Sequence, residues 1–258
     1  MSYVSLAGQI PRRLNPSEVH VWNAGLDFAA GRLARCWLLL ALNEKERAER
    51  FHFPIHRNRY TAGRALLRQL LGCYAGLPPE QVVLHEGPQG KPMLDKGIGE
   101  DIQFNLSHSQ DRLLVAVTRD CEVGADLEWV RPIADLEALA HLVMSAAEWQ
   151  DFKDVPEPDR PAVFYRLWTR KEALLKGLGA GFSIEPRSLH VGSTGQQAGA
   201  WRIYEASAPS GYCGAVAVCN SAAQFIEWEC GEEIMDEADG ASAAGRIASW
   251  SSLRMPAH

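Results

Sequence analysis

The sequence predicts an α+β fold made of two similar halves, each running from helices into a small antiparallel sheet. Three observations predict it. Along roughly the first 230 residues, helical and strand periodicities alternate, with helices leading and short strands following, twice over. The stretch "ALLRQLLG" (65–72) in the first half is echoed by "ALLKGLG" (173–179) in the second. With 258 residues, 47% of them hydrophobic, the chain can bury one large core or two smaller ones. The expected boundaries are 1–120 for an N-terminal lobe, 121–230 for a C-terminal lobe and 231–258 for a tail.

Taken in order, "EVHVWNAGL" (18–26) alternates as a strand does. "LNEKERAERF" (42–51) starts a helix, with Asn43 as N-cap and Glu46 three residues on, a capping-box spacing. A longer helix over 57–74 is stopped by "GLPPE" (76–80). Strands follow near 81–84, 102–106, 112–118 and 123–128. The second half opens with helices over 133–153 and 159–178 and closes with strands near 187–191, 201–206, 213–219 and 224–229. The stretch from 231 to 258 is rich in Ala, Gly and Ser and holds five acids against two arginines, which predicts a largely disordered tail.

Composition excludes several classes. The net charge is −6 with no long basic run, which argues against a nucleic-acid partner. The longest apolar run, Cys36 to Leu42, is too short to span a bilayer. No signal-peptide pattern opens the sequence, and no membrane partner is expected. Six cysteines without CxxC or CxxH spacing suit reduced thiols, and so a cytoplasmic setting. His52 and His56 are four apart, but Pro54 between them argues against a metal-binding helical pair.

Charges mark the candidate site. In "FYRLWTRKEALLKGLGAG" (164–181), Lys171 falls inside the apolar stripe of a helix, with Glu172 at its edge and Lys176 one turn further on. A snorkelling lysine beside an ordinary Glu–Lys pair is the plain alternative. In "VGADLEWV" (123–130), Asp126 and Glu128 share one strand face. Two neighbouring carboxylates repel, and a solvated face would explain them. Joined by Glu172 they would also form the oxygen donor set a divalent cation such as Mg²⁺ takes, with Lys171 and Lys176 beside it to hold phosphate. "FNLSHS" (104–109) adds Ser107, His108 and Ser109, and "GKP" (90–92) adds Lys91 after a permissive glycine, all suited to an anion.

"GKP", "FNLSHS", "VGADLE" and "WTRKEALLKGLGAG", in that order, resemble the Sfp-type 4′-phosphopantetheinyl transferases over roughly 41–218. The resemblance implies a pseudo-symmetric two-lobed fold, working as a monomer with coenzyme A between the lobes. It implies transfer of phosphopantetheine to a serine of an apo acyl or peptidyl carrier protein. By match, Asp126, Glu128 and Glu172 hold Mg²⁺. Glu172 and Lys176 are the catalytic pair, Lys176 also touching the pyrophosphate. Arg59, Lys91, Ser107 and His108 bind other parts of coenzyme A, and Arg47 fills one of two basic family positions while Glu44 stands at the other. The family pattern usually carries Ile or Val where Ala125 stands. A metal-dependent nuclease or phosphodiesterase would also gather acids and lysines, but with a basic groove. A silent carrier-protein binder would keep the surface and lose the acids; all three are present. A carrier-docking role is expected for "VRPIADLEALAHLVM" (130–144), with an inward-facing core helix as the alternative.

Overall fold

The computed structural model describes residues 14–87, 90–95, 97–99, 101–179, 183–192 and 197–230. The tail expected over 231–258 lies outside them. The first half comprises β1 (Glu18–Gly25), α1 (Ala30–Leu39), α2 (Leu42–Glu49), α3 (Pro54–Ala75), β2 (Leu84–Glu86), β3 (Pro92–Leu94), β4 (Ile102–Ser109) and β5 (Arg112–Arg119). The second comprises β6 (Val123–Trp129), α4 (Leu136–Val143), α5 (Ala146–Lys153), α6 (Arg160–Leu178), β7 (Gln197–Ala198), β8 (Trp201–Ala206), β9 (Tyr212–Val218) and β10 (Gln224–Cys230).

Two four-stranded sheets form, ordered β10-β1-β5-β4 and β6-β9-β8-β7, with β2 and β3 paired as a separate hairpin. They stack face to face between two helices. On one side of the first sheet, Trp22, Val115 and Val117 pack on Leu66, Leu67 and Leu71 of α3. Its other side, with Val19, Val21, Leu114 and Ala116, meets Val123, Ala125, Leu127 and Val216 of the second sheet. The far side of the second sheet packs Ile203, Ala215 and Ala217 on Ala173 and Leu174 of α6. The order α3, sheet, sheet, α6 explains why "LLVAV" in β5 is apolar at every position: both its faces are buried.

The α+β two-lobed architecture agrees with the sequence, and several local details differ. β10, expected to close the second half's sheet, crosses back and pairs in parallel with β1, Trp228 opposite Trp22. The two indoles stack at 4.6 Å between centroids, and Tyr74 accepts the Trp22 N–H at 2.8 Å. Aromatic pairing thus outweighs chain order in assigning the last strand. α2 starts two residues early, with Glu44 rather than Glu46 reaching back to the Ala41 N–H at 2.8 Å. The helix expected over 133–153 is broken at Ser145, whose hydroxyl caps α5 while Glu148 returns to the Ser145 N–H. Segment 187–191 contains a short 3₁₀ turn where a strand was expected. α1, not foreseen, buries only Arg32 and Cys36, so its apolar stripe is thin.

Candidate active site

The site lies where edge strand β4 of one sheet meets edge strand β6 of the other. No backbone ladder joins these edges; side chains two apart on β4 do so instead. Asn105 Oδ1 accepts the Ala125 N–H at 3.1 Å. Ser109 Oγ accepts the Trp129 N–H at 3.0 Å. Between them, Ser107 Oγ donates to Asp126 Oδ1 at 3.0 Å. Period-two geometry puts Asn105, Ser107 and Ser109 on one face of β4, opposite Asp126 and Glu128 on theirs.

α6 supplies the remaining groups. It can lie close against β6 because both carry glycine at the crossing: a Cβ on Gly124 would stand 1.9 Å from the Ala173 carbonyl oxygen and 2.3 Å from the Gly177 nitrogen. At this separation Lys176 Nζ reaches Asp126 Oδ1 at 2.6 Å, the Ala125 carbonyl at 3.2 Å and Ser107 Oγ at 3.3 Å. Asp126 is 4% exposed, and its Oδ2 is buried with no hydrogen-bond partner. Glu128 accepts from Ser109 Oγ at 3.1 Å and from the Trp168 side chain.

The three carboxylates sense one another. Burial pushes the Glu172 carboxyl above its ordinary value, the Asp126 charge pushes it further, and Lys176 only partly offsets this. Glu128 is raised for the same reasons, burial first and Asp126 next. His108 is pulled down by burial and by the positive charges of Lys176 and Arg47, so its imidazole is neutral at neutral pH. Among the described residues no group of three or more His, Cys, Asp or Glu side chains is arranged to hold a metal ion as it stands. The lysine ammonium is the cation placed on Asp126. The donor chemistry nonetheless suits a hard cation: three mutually repelling carboxylates and one orphaned oxygen.

Two cavities flank this centre. One, about 560 Å³, is lined by Arg47, Arg59, Tyr60 and Arg64 together with His108 and Glu86. The other, about 620 Å³, is mostly apolar and takes in Lys91, Leu142, Trp168, Glu172, Lys176 and Pro186. Gly90, Pro92 and Leu106 border both, so the two cavities adjoin. The sequence-predicted residues therefore divide. Asp126, Glu128, Glu172, Lys176 and Ser107 converge at the seam, while Arg47, Arg59 and His108 sit in the basic cavity and Lys91 in the apolar one.

Several predicted partners turn out differently. Arg59 forms a two-pronged pair with Asp27 at 2.7 and 2.9 Å, and Arg47 meets Glu86 at 3.3 Å. Glu44, at the second family position, is 4% exposed and grips Arg64 and Arg68, so acid there ties α2 to α3. Ser109, grouped with the anion binders, is engaged by Glu128 and the Trp129 N–H. Lys171, expected to hold phosphate, is fully buried against Glu148 at 2.7 Å, away from the seam. Sequence reasoning missed Asn105, Trp168 and Glu148. The alternation Asn-x-Ser-x-Ser in β4 was the available signal for the first.

Comparisons with known proteins bear on the family of the chain. A family model described as the 4′-phosphopantetheinyl transferase superfamily matches residues 122–224, and one described as 4′-phosphopantetheinyl transferase, N-terminal, matches 30–120. The chain is 38% identical over 217 residues to the 4′-phosphopantetheinyl transferase HetI of Nostoc sp. (strain PCC 7120), covering 82% of this chain and 92% of that one. It is 38% identical over 144 residues to psf-1 of Bacillus pumilus, covering 56% and 60%. It is 37% identical over 123 residues to AcpT of Escherichia coli (strain K12), covering 48% and 58%; both are likewise 4′-phosphopantetheinyl transferases.

Proposed function

We propose, from the premise that the chain belongs to the 4′-phosphopantetheinyl transferase superfamily, that the seam between β4 and β6 is its reaction centre. The protein is an enzyme that moves phosphopantetheine from coenzyme A to a carrier protein. The observation that carries the assignment of the site is the buried Asp126, whose Oδ2 lacks a partner, grouped with two further acids and Lys176 where a basic and an apolar cavity adjoin.

The two ends of coenzyme A differ in the way these cavities do. Its nucleotide and phosphates are anionic and suit Arg47, Arg59 and His108, the arginines exchanging Glu86 and Asp27 for phosphate. Its pantetheine arm is uncharged and suits the apolar cavity, where Lys91 stands at the border. Asp126, Glu128 and Glu172 would hold Mg²⁺, which when bound neutralises charge on the pyrophosphate. Lys176 and Ser107 orient the pyrophosphate oxygens. Glu172 takes the proton from the carrier's serine Oγ as that oxygen bonds to phosphorus and the bond to 3′,5′-ADP breaks. In the metal-free site burial and its acidic neighbours raise the proton affinity of Glu172, and neutralising this acidic group is what a bound cation would contribute. The position of Glu172 at the apolar cavity leaves room for the incoming hydroxyl.

The carrier is placed beside α4. Ala140 and Val143 of that helix face the core, whereas Leu139 and Leu142 are 37% and 65% exposed, and Leu142 borders the apolar cavity. The inward-facing expectation is met by one face of the helix, and the exposed face is the one we assign to the carrier. The enzyme is read as a cytoplasmic monomer. Among the described residues no helix is long and apolar enough to cross a membrane, and the cysteines form no disulfide. The test is release of 3′,5′-ADP from coenzyme A with Mg²⁺ present. Release that requires an apo carrier bearing its serine supports the reading; release without any carrier points to a phosphodiesterase.

A further inference from the structure

Among the described residues, Lys171 and Glu148 are two deeply buried charges that the reaction does not use. Lys171 is 0% exposed and Glu148 3%. The lysine spends all three of its ammonium hydrogens on partners: Glu148 Oε2 at 2.7 Å, the Pro186 carbonyl at 2.9 Å and the Leu189 carbonyl at 2.5 Å. Glu148 in turn accepts the Val191 N–H at 2.9 Å and the Ser145 N–H at 2.8 Å. Three of these contacts land on the backbone between 186 and 191, a segment with no ladder of its own beyond one 3₁₀ turn. That segment leads out of Ile184, Glu185 and Pro186, which line the apolar cavity together with Glu172 and Lys176.

A buried ion pair is expensive to desolvate, and an apolar pair of similar volume often serves stability as well or better. Stability alone therefore does not explain it. What an apolar pair could not do is bond two carbonyls and an amide of an irregular segment and so fix its path. Lys171 is also the immediate chain neighbour of Glu172, so one turn of α6 presents a base to the cavity and anchors another part of its lining.

We propose that Lys171 and Glu148 are a positioning pair that holds segment 184–191 as the wall of the pantetheine-arm pocket. The inference rests on the functional reading above, in which the apolar cavity receives the arm. It separates two ligands that share a nucleotide. Coenzyme A has the arm and must feel the wall; 3′,5′-ADP lacks it and must not.

The experiment is calorimetric titration of the full chain with coenzyme A and, separately, with 3′,5′-ADP, in the presence of Mg²⁺. Single removal of Lys171 would leave Glu148 buried and unpaired and could prevent folding. The variant used is therefore the double Lys171→Met, Glu148→Gln, in which Gln retains an acceptor for one of the two N–H groups. Lys171→Arg, which keeps the charge and the donors, is the conservative comparison. Circular dichroism and a thermal melt establish folding before titration. The expected result is a loss of roughly tenfold in coenzyme A affinity in the double variant, 3′,5′-ADP affinity within about twofold of wild type, and partial recovery in Lys171→Arg. Equal losses for both ligands, or no loss for either in a folded variant, overturn the positioning role. Failure of the double variant to fold also overturns it, because the pair is then structural. A wild-type chain that binds neither ligand defeats the functional reading instead, and the two failures are told apart.

Discussion

Replacing Gly124 with alanine tests the packing that creates the site. The added Cβ would lie 1.9 Å from the Ala173 carbonyl oxygen and 2.9 Å from Gly177 Cα, against 3.4 Å or more for an ordinary contact. The obstacles are backbone atoms, so no side chain can swing aside. β6 must therefore move about 1.5 Å from α6, or the helix from the strand. Overpacking of this kind costs about 3 kcal/mol, at the upper end of its usual range. For a chain of this size that lowers the melting temperature by about 6–12 °C. The same displacement carries Asp126 away from Lys176 and Glu172, and a shift near 1 Å costs about 10²-fold in rate. The assay is a thermal melt paired with the initial rate of carrier modification well below the melt. Gly31, at the start of α1 with nothing within 4 Å of an added Cβ, is the control, and its alanine variant should keep the wild-type rate and melt no lower than wild type. A Gly124→Ala protein with wild-type melting and rate would refute the claim that close approach of β6 and α6 sets the site.

Glu172→Gln should lose about 10²–10⁴-fold in kcat and plateau below wild type as Mg²⁺ is raised, whereas Asp126→Asn should recover in part; full recovery of the former would make Glu172 a ligand only. Because burial and Asp126 hold Glu172 above the usual 4.5 of a glutamate in the metal-free site, Mg²⁺ affinity should weaken on acidification at a pH above that value, as protons compete for the carboxylate, and Mg²⁺ titrations across pH of wild type against Glu172→Gln check it. His108→Ala and Lys91→Ala should raise KM for coenzyme A more than they lower kcat, which steady-state kinetics resolve. Leu142→Asp should raise KM for the carrier and leave coenzyme A affinity unchanged by calorimetry. His20 is 1% exposed, and burial holds its pKa down to about 4 from 6.5, so the folded state binds fewer protons than the unfolded one. Its contribution, on the order of 3 kcal/mol, is present above about pH 6.5 and lost as pH falls towards 4. Urea melts across that range should show a shallower decline for His20→Phe.

Period alone disclosed the strands β1, β4, β5 and β6 and the long helices, because each buries a continuous face. It also put Asp126 and Glu128 on one side of β6. What it could not disclose was partnership between distant segments. Nothing in "QFIEWEC" says that its tryptophan stacks on Trp22 across the whole chain, so β10 was assigned to the wrong sheet. The same limit explains Lys171. Its place in an apolar stripe suggested a lysine held by phosphate, whereas its partner is Glu148, on a helix that starts elsewhere than expected. Glu44 shows the converse: its departure from a basic family position is explained by Arg64 and Arg68, visible only once α2 and α3 are packed together.

The central claim is that Asp126, Glu128, Glu172 and Lys176 form the centre that loads a carrier protein. The measurement that meets it most directly is the intact mass of an apo carrier after incubation with coenzyme A, Mg²⁺ and either wild type or a folded Asp126→Ala variant. The account predicts that the carrier gains one phosphopantetheine with wild type and stays apo with the variant. An unmodified carrier across a panel of apo acyl and peptidyl carriers with wild type, or equal modification by the variant, would contradict it.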